Sequence, residues 1–351
     1  MSQNSLVMEL RSPPHVRQAL TTPVIMAHVV YAMLPICAFA VFSYGASALL
    51  LLMTCTAACV LTEHIIAKAS GNPTPIGDYS AVVTGILLAL TLPPGFPLWM
   101  GALGGVASIV LGKTLFGGLG CNVFNPALVG RAFLQASFPV AITTWTPPYM
   151  DGRFVQGIPS SFTLPFLEPI SVVQFVEDSG IDGFTGATPL AAQLFDQQPT
   201  SFVDLFLGTT AGSLGETSAL IILLCGIYLI VRGMMNWRIP AGIFASMFLV
   251  GGFFHFLNPD VNPNPFFMLL SGGLMLGAMF MASDLVASPT APLGMWVYGA
   301  FIGTITYIIR MYGGLPEGIM YAILLANAAS PLIDQLTQPR TYGSRLRSKA
   351  A

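Results

Sequence analysis

The tightest constraint on this chain is where its charges are missing. A helix crossing a bilayer needs about 20 apolar residues, and windows of roughly that length without an unpaired charge fill both halves of the sequence. Five precede residue 140: Leu20 to Phe42, Gly45 to Leu61, Tyr79 to Leu92, Pro97 to Leu111 and Cys121 to Phe138. Five more follow: Glu216 to Val231, Ile239 to Leu257, Phe266 to Ala282, Leu293 to Ile309 and Gly318 to Ile333. Charged residues make up 8% of the 351, where a soluble domain carries roughly a quarter. A net charge of −2 supplies no basic stripe for nucleic acid. The expected fold is an all-α polytopic membrane protein of about ten transmembrane helices.

Basic residues flanking a span are retained on the cytoplasmic side. With the N-terminus inside, Arg11, Arg17, Lys68, Lys113, Arg232, Arg238, Arg340, Arg345, Arg347 and Lys349 all fall inside, and only Arg153 and Arg310 fall outside. The start carries no cleavage site before a long apolar run and reads as a cytoplasmic lead-in. The expected organisation is a cytoplasmic segment 1–19, a membrane unit 20–138, an outer loop 139–215, a second membrane unit 216–334 and a basic cytoplasmic tail 335–351. The loop is acidic and rich in proline and glycine, with a short helix expected near Ser171 to Glu177. A loop of that length usually has a function.

The halves repeat one another. Thr84-Gly85, Pro97-Leu98, Gly101-Ala102 and the run from Lys113 to Gly117-Gly118-Leu119 recur in order as Ser271-Gly272-Gly273, Pro292-Leu293, Gly299-Ala300 and the run from Arg310 to Gly313-Gly314-Leu315. Five spans per copy is an odd number, so the second copy is inverted relative to the first. Binding sites in such proteins lie between the repeats, at interrupted helices.

Asn125-Pro126 reads as such an interruption, an N-cap followed by proline at the first helical position. Ser330-Pro331 is the expected counterpart. Arg131, within a span, needs a partner or a function. Glu63, His64, Asp78 and Asp284 lie near membrane boundaries and read as caps and solvated ends. Cys37, Cys55, Cys59, Cys121 and Cys225 form no metal-binding spacing and read as packing residues.

The most specific segment is Asp182-Gly183-Phe184-Thr185-Gly186-Ala187-Thr188-Pro189. By local physics Thr188-Pro189 is a helix N-cap. The segment also resembles the flavinylation motif Asp-x-x-Ser/Thr-Gly-Ala-Thr, whose last threonine is esterified to the phosphate of FMN by a flavin transferase. Ser80 to Gly85, Thr91-Leu92-Pro93-Pro94, Gly117 to Ala127, Leu270-Ser271-Gly272, Leu324 to Asn327 and Pro331 to Asp334 extend the resemblance along the chain. They are similar to the NqrB/RnfD family, and the short lead before the first span looks like its Rnf side.

The resemblance implies a bacterial inner-membrane subunit with FMN covalently held on Thr188 in the periplasmic loop, while Asp182, Thr185, Gly186 and Ala187 complete the motif. It implies electron transfer within a complex that links ferredoxin and NAD(H) to movement of Na⁺ or H⁺. The implied partners are the other Rnf proteins of the complex (RnfA, RnfB, RnfC, RnfE and RnfG), the flavin transferase and membrane lipid. It also suggests a second, non-covalent flavin such as riboflavin. Asn125 and Arg131 are the expected protein environment of the flavin. The competing reading is an inverted-repeat channel or solute transporter with no flavin.

Overall fold

The computed structural model describes residues 21–71, 75–155, 157–165, 167, 188–195, 200–216, 218–259, 261–314 and 317–339. Its described residues are helical, with no strand among them. The first membrane unit contains α1 (Thr22–Tyr44), α2 (Ala46–Ala69), α3 (Ser80–Leu90), α4 (Leu98–Gly112) and α5 (Pro126–Ser137). Three short helices follow: α6 (Pro139–Ile142), α7 (Pro189–Phe195) and α8 (Phe202–Leu207). The second unit contains α9 (Ala219–Val231), α10 (Arg238–Leu257), α11 (Pro265–Leu270), α12 (Leu274–Leu276), α13 (Pro292–Tyr312) and α14 (Ile319–Thr337). Six helices are long and apolar enough to cross a membrane: α1, α2, α4, α10, α13 and α14, with α4 counted through Phe116. The remaining expected spans are the shorter α3, α5 and α9 and the broken pair α11 and α12.

The packing order of the two units is the same. In the first, α2 lies against α3 and α4, and α4 against α5; in the second, α10 lies against α11 and α13, and α13 against α14. Glycine makes the central contact close in both. A Cβ on Gly105 would stand 3.2 Å from the Cys55 carbonyl oxygen, and one on Gly299 or Gly303 would stand 2.7 or 2.6 Å from the carbonyl oxygens of Ile239 or Ile243. Small residues at such positions bring helix backbones together in lipid, where packing replaces the hydrophobic effect. The units meet through α1 on α9 and α5 on α14.

Running direction follows from the groups at the helix ends. Lys113, after α4, shares a cavity wall with Met26 at the start of α1. Arg310, at the end of α13, shares one with Leu190 of α7 and lies on the same side as Glu317, before α14. Helices α4 and α13 therefore run in opposite directions, as inverted copies must. The start of α1 lies at one end of the bundle and Thr188 at the other.

Polarity is inverted relative to a soluble protein. Leu249, Phe253, Phe256, Leu293, Leu332, Met53 and Ile65 are each more than 60% exposed, whereas Glu63, Lys113, Arg131 and Arg310 are buried. The apolar exterior suits lipid, and the charges turn inward to partners.

One interruption lies where the sequence placed it and the other does not. Asn125 caps α5, its Oδ1 accepting from the Ala127 N–H at 3.0 Å, with Pro126 at the first position. Pro331, by contrast, lies inside the continuous α14. It has no N–H for the Asn327 carbonyl, but packing against α13, including a 2.5 Å bond from the Tyr298 hydroxyl to Asn327 Oδ1, holds the helix through that gap. The interruption of the second unit is at Ser271 to Gly273, between α11 and α12, and α12 continues as a π-helical turn, Gly277–Met281. There the Ala282 N–H bonds the Gly277 carbonyl five residues back, at 2.7 Å. Single π-turns of this kind concentrate at functional sites. The expected helix near Ser171 to Glu177 lies outside the described residues.

Candidate functional site

Each end of the bundle holds a cavity with one buried cation in its wall, and the two cations, Lys113 and Arg310, are the repeat counterparts.

At the Thr188 end, Thr188 stands before α7, its carbonyl accepting from Ala192 N–H at 2.8 Å and its Oγ1 from Ala191 N–H at 3.3 Å. It is the N-cap expected from Thr-Pro, and it is 3% exposed. Asp182, Thr185, Gly186 and Ala187 lie outside the described residues. Helix α7 rests on the second unit through Leu190, which packs with Phe267, Met268, Leu274 and Tyr307. Leu190, Gln193 and Leu194 then face Met268, Arg310 and Met311 across a cavity.

Arg310 holds the interruption of α11 and α12 together. Its Nη1 donates to the Met268 carbonyl at 2.5 Å and its Nη2 to the Ser271 carbonyl at 2.9 Å, which satisfies acceptors that end a helix. Its Nε has no partner. Beside it, Arg131 of α5 forms an ion pair with Glu317, in the turn before α14. Arg131 thus joins the two units, 186 residues apart in sequence. Glu216 completes the group. The chain leading to it bonds back to the end of α3, Gly215 N–H to the Leu90 carbonyl at 2.6 Å and Leu214 N–H to the Leu92 carbonyl at 3.1 Å. Burial first and the Glu216 carboxylate second push the Glu317 carboxyl up to about 8, against the pull of Arg131 and Arg310.

At the other end, Lys113 donates to Glu63 and, at 2.5 Å, to Ser80 Oγ, which itself donates to Asp78 Oδ1 at 2.5 Å. Asp78 also accepts from the Ser80 N–H at 2.8 Å, the first N–H of α3, from one residue before the N-cap position, Tyr79. Glu63 departs from expectation: it is no solvated end but a buried ion-pair partner, because Lys113 emerges from α4 directly opposite it. Asp284 lines the same cavity. Burial pushes its carboxyl up, against the pull of the Val286 N–H and the Asn122 amide. Val83, Leu87, Met279 and Phe280 give the cavity apolar walls, and the Asn122 Oδ1 is buried with no partner. Asn125 belongs here, not beside Thr188: its Nδ2 donates to the Met281 carbonyl at 3.2 Å.

Of the expected site residues, Thr188 and Arg131 share an end of the bundle and Asn125 lies at the opposite one. Lys113, Arg310, Glu216 and Glu317 were not among them. The signal for the first two was present, since both are lone cations at matching repeat positions. Among the described residues no three His, Cys, Asp or Glu converge as metal ligands, and the five cysteines are free thiols.

Comparison with known proteins gives these sites a context. The chain is 40% identical over 342 residues to the D subunit of the Na(+)-translocating ferredoxin:NAD(+) oxidoreductase complex of Acetobacterium woodii, covering 97% of this chain and 96% of that one. It is 37% identical over 349 residues to the D subunit of the proton-translocating ferredoxin:NAD(+) oxidoreductase complex of Clostridium ljungdahlii, covering 97% of each. It is 38% identical over 348 residues to the D subunit of the ion-translocating oxidoreductase complex of Halorhodospira halophila, covering 95% of each. The profile of the NQR2, RnfD, RnfE family matches residues 9–343, and the chain belongs to that family.

Proposed function

We propose that this chain is the D subunit of an ion-translocating, Rnf-type ferredoxin:NAD⁺ oxidoreductase complex, carrying FMN in phosphoester linkage on Thr188. The observation that carries the reading is the position of Thr188, the last residue of the motif, two residues before Leu190 in the wall of the Arg310 cavity. The cavity suits the group: Leu190, Leu194, Phe267 and Met268 offer apolar surface, and Arg310 offers a buried guanidinium whose Nε is unpartnered. When bound, the flavin supplies reversible electron acceptance, and the protein sets its position and surroundings. Arg310 would offer a positive charge to a group that gains negative charge on reduction. Because Thr188 is 3% exposed and capping α7, its hydroxyl reaches a transferase only before this segment docks or after it opens. Losing the cap costs about 1 kcal/mol.

For a second, non-covalent flavin such as riboflavin, the apolar walls and the polar groups Lys113, Asn122 and Asp284 of the Lys113 cavity support a site there. In this reading the chain is a multi-pass protein of the bacterial inner membrane, with the Lys113 end cytoplasmic and the Thr188 end periplasmic, in agreement with Lys68, Lys113, Arg232 and Arg238 at one end and Arg153 and Arg310 at the other. Its partners are the other proteins of the complex, the flavin transferase and lipid.

Ultraviolet fluorescence of the denatured chain, followed by peptide mass spectrometry, tests the assignment. An FMN-sized adduct on Thr188 is expected, lost with Thr188→Ala while the protein still folds. A chain without adduct from cells containing an active transferase would leave the channel or transporter reading in its place.

A further inference from the structure

The charges at the interruption of α11 and α12 do not pair off. Two guanidiniums, Arg131 and Arg310, face two carboxylates, Glu216 and Glu317, but among the described residues only Arg131 and Glu317 are in contact. Arg310 gives both of its terminal nitrogens to backbone carbonyls. Glu216 receives one weak bond, from the Ser213 N–H to Oε2 at 3.4 Å. Its Oε1, aimed at Gly273 and 2.9 Å from where a Cβ there would stand, has no partner. Glu317 Oε1 has none either, nor has the hydroxyl of Ser271, a residue with no exposed surface. Ser271 adjoins Gly272, where a Cβ would stand 3.1 Å from Arg310 Nη2. Three buried oxygens around the interruption therefore lack a donor.

We propose that Glu216 and Glu317 form a one-proton site: a single exchangeable proton is held on the orphan oxygens of the pair, at the same interruption as the unpartnered Ser271 hydroxyl. A carboxylate buried without a counter-ion is far costlier than a carboxylic acid, and two neighbouring carboxylates share a proton more readily than both ionise. Four oxygens, counting the unpartnered Ser213 hydroxyl, beside two guanidiniums make a poor nest for a metal cation. The proton comes from water and returns to it, and only a carboxyl O–H bond forms or breaks. The other charged or ionisable groups facing the pair are Arg131 on α5, Arg310 on α13, Tyr44 on α1 and Tyr321 on α14.

The arrangement has an unusual signature. Without Glu317, Glu216 is a lone acid facing two guanidiniums and ionises; without Glu216, Glu317 keeps its burial but loses the neighbour that shares the proton, so it ionises at lower pH. Infrared difference spectra of the full-length protein in lipid nanodiscs, titrated from about pH 5 to about pH 10, read the C=O stretch of protonated carboxyl groups. One protonated carboxyl is expected in the wild type near neutral pH, lost in Glu317→Gln, moved to lower pH in Glu216→Gln, and retained in Glu63→Gln and Asp284→Asn. Replacing Na⁺ by choline at constant ionic strength should leave it unchanged. Survival of the band in Glu317→Gln, an unshifted titration in Glu216→Gln, its absence from the wild type at pH 6, or its removal by Na⁺ at fixed pH would each overturn the assignment. The wild-type titration and the Na⁺ comparison need no variant to fold.

Discussion

Asn125 holds both units of the protein with one side chain. Its oxygen accepts from the Ala127 N–H and so starts α5, and its amide donates at 3.2 Å to the Met281 carbonyl, at the end of the π-helical turn of the second unit. Asn125→Ala removes a cap worth about 1 kcal/mol and strands a buried carbonyl at a further 1 to 3 kcal/mol, roughly. Asn125→Asp keeps the cap and loses only the cross-unit bond. Thermal unfolding in one detergent should therefore rank wild type above Asp above Ala. Equal midpoints for wild type and Asp would show that the bond to Met281 contributes nothing.

Glu63 and Lys113 are buried to 7% and 3% exposure, a regime in which the pair is worth less than the cost of breaking it. Lys113→Met strands the Glu63 carboxylate, and Glu63→Gln strands the ammonium. Each single change should lose about 3 to 5 kcal/mol, and the double change, Glu63→Gln with Lys113→Met, should recover most of the loss. A double-mutant cycle on unfolding free energy reads this directly. Additive losses would mean the two groups do not depend on each other.

These relationships also mark how far the sequence could be read. Charge-free windows gave the helices because lipid permits little else, and Asn125-Pro126 gave one interruption because a cap and a proline act locally. Ser330-Pro331 has the same local chemistry, yet α14 runs through it, because its neighbours decide whether the lost hydrogen bond is tolerated. Ser271-Gly272-Gly273 was noted as a repeat marker, but nothing local says that Arg310 bonds its carbonyl from 39 residues away. Lys113 with Glu63, 50 residues apart, and Arg131 with Glu317, 186 apart, were invisible for the same reason. The motif singles out Thr188 as an expectation, and the fold adds its place at the start of α7. The cavity beside it needed the fold.

The glycines of α13 make a third stability test. Gly299 and Gly303 admit no side chain without moving α10, since backbone atoms of α10 obstruct both, joined at Gly303 by the Ser246 hydroxyl. Gly314 has open space around it and no positive φ. Gly303→Ala should cost about 1 to 3 kcal/mol as an overpacked contact, and Gly314→Ala should be near neutral. Unfolding midpoints measured side by side decide the matter. A harmless Gly303→Ala would mean that the α10 to α13 contact yields more easily than its spacing implies.

Glu317 gives the pH dependence a definite sign. Its carboxyl is raised in the folded protein to about 8 from an ordinary 4.5, with burial as the first cause and Glu216 as the second. Between those values the folded chain binds more of a proton than the unfolded chain does, so stability falls as pH rises. The contribution is complete below about 4.5 and is lost as pH rises through about 8. The unfolding midpoint of the wild type should therefore decline across that window. Glu317→Gln, which cannot ionise, should lie on a flatter curve, which the wild type approaches from below at the acidic end. A wild-type midpoint that rises with pH through the window, with Glu317→Gln flat, would mean that the Arg131 ion pair outweighs burial and that Glu317 is fully ionised at neutral pH.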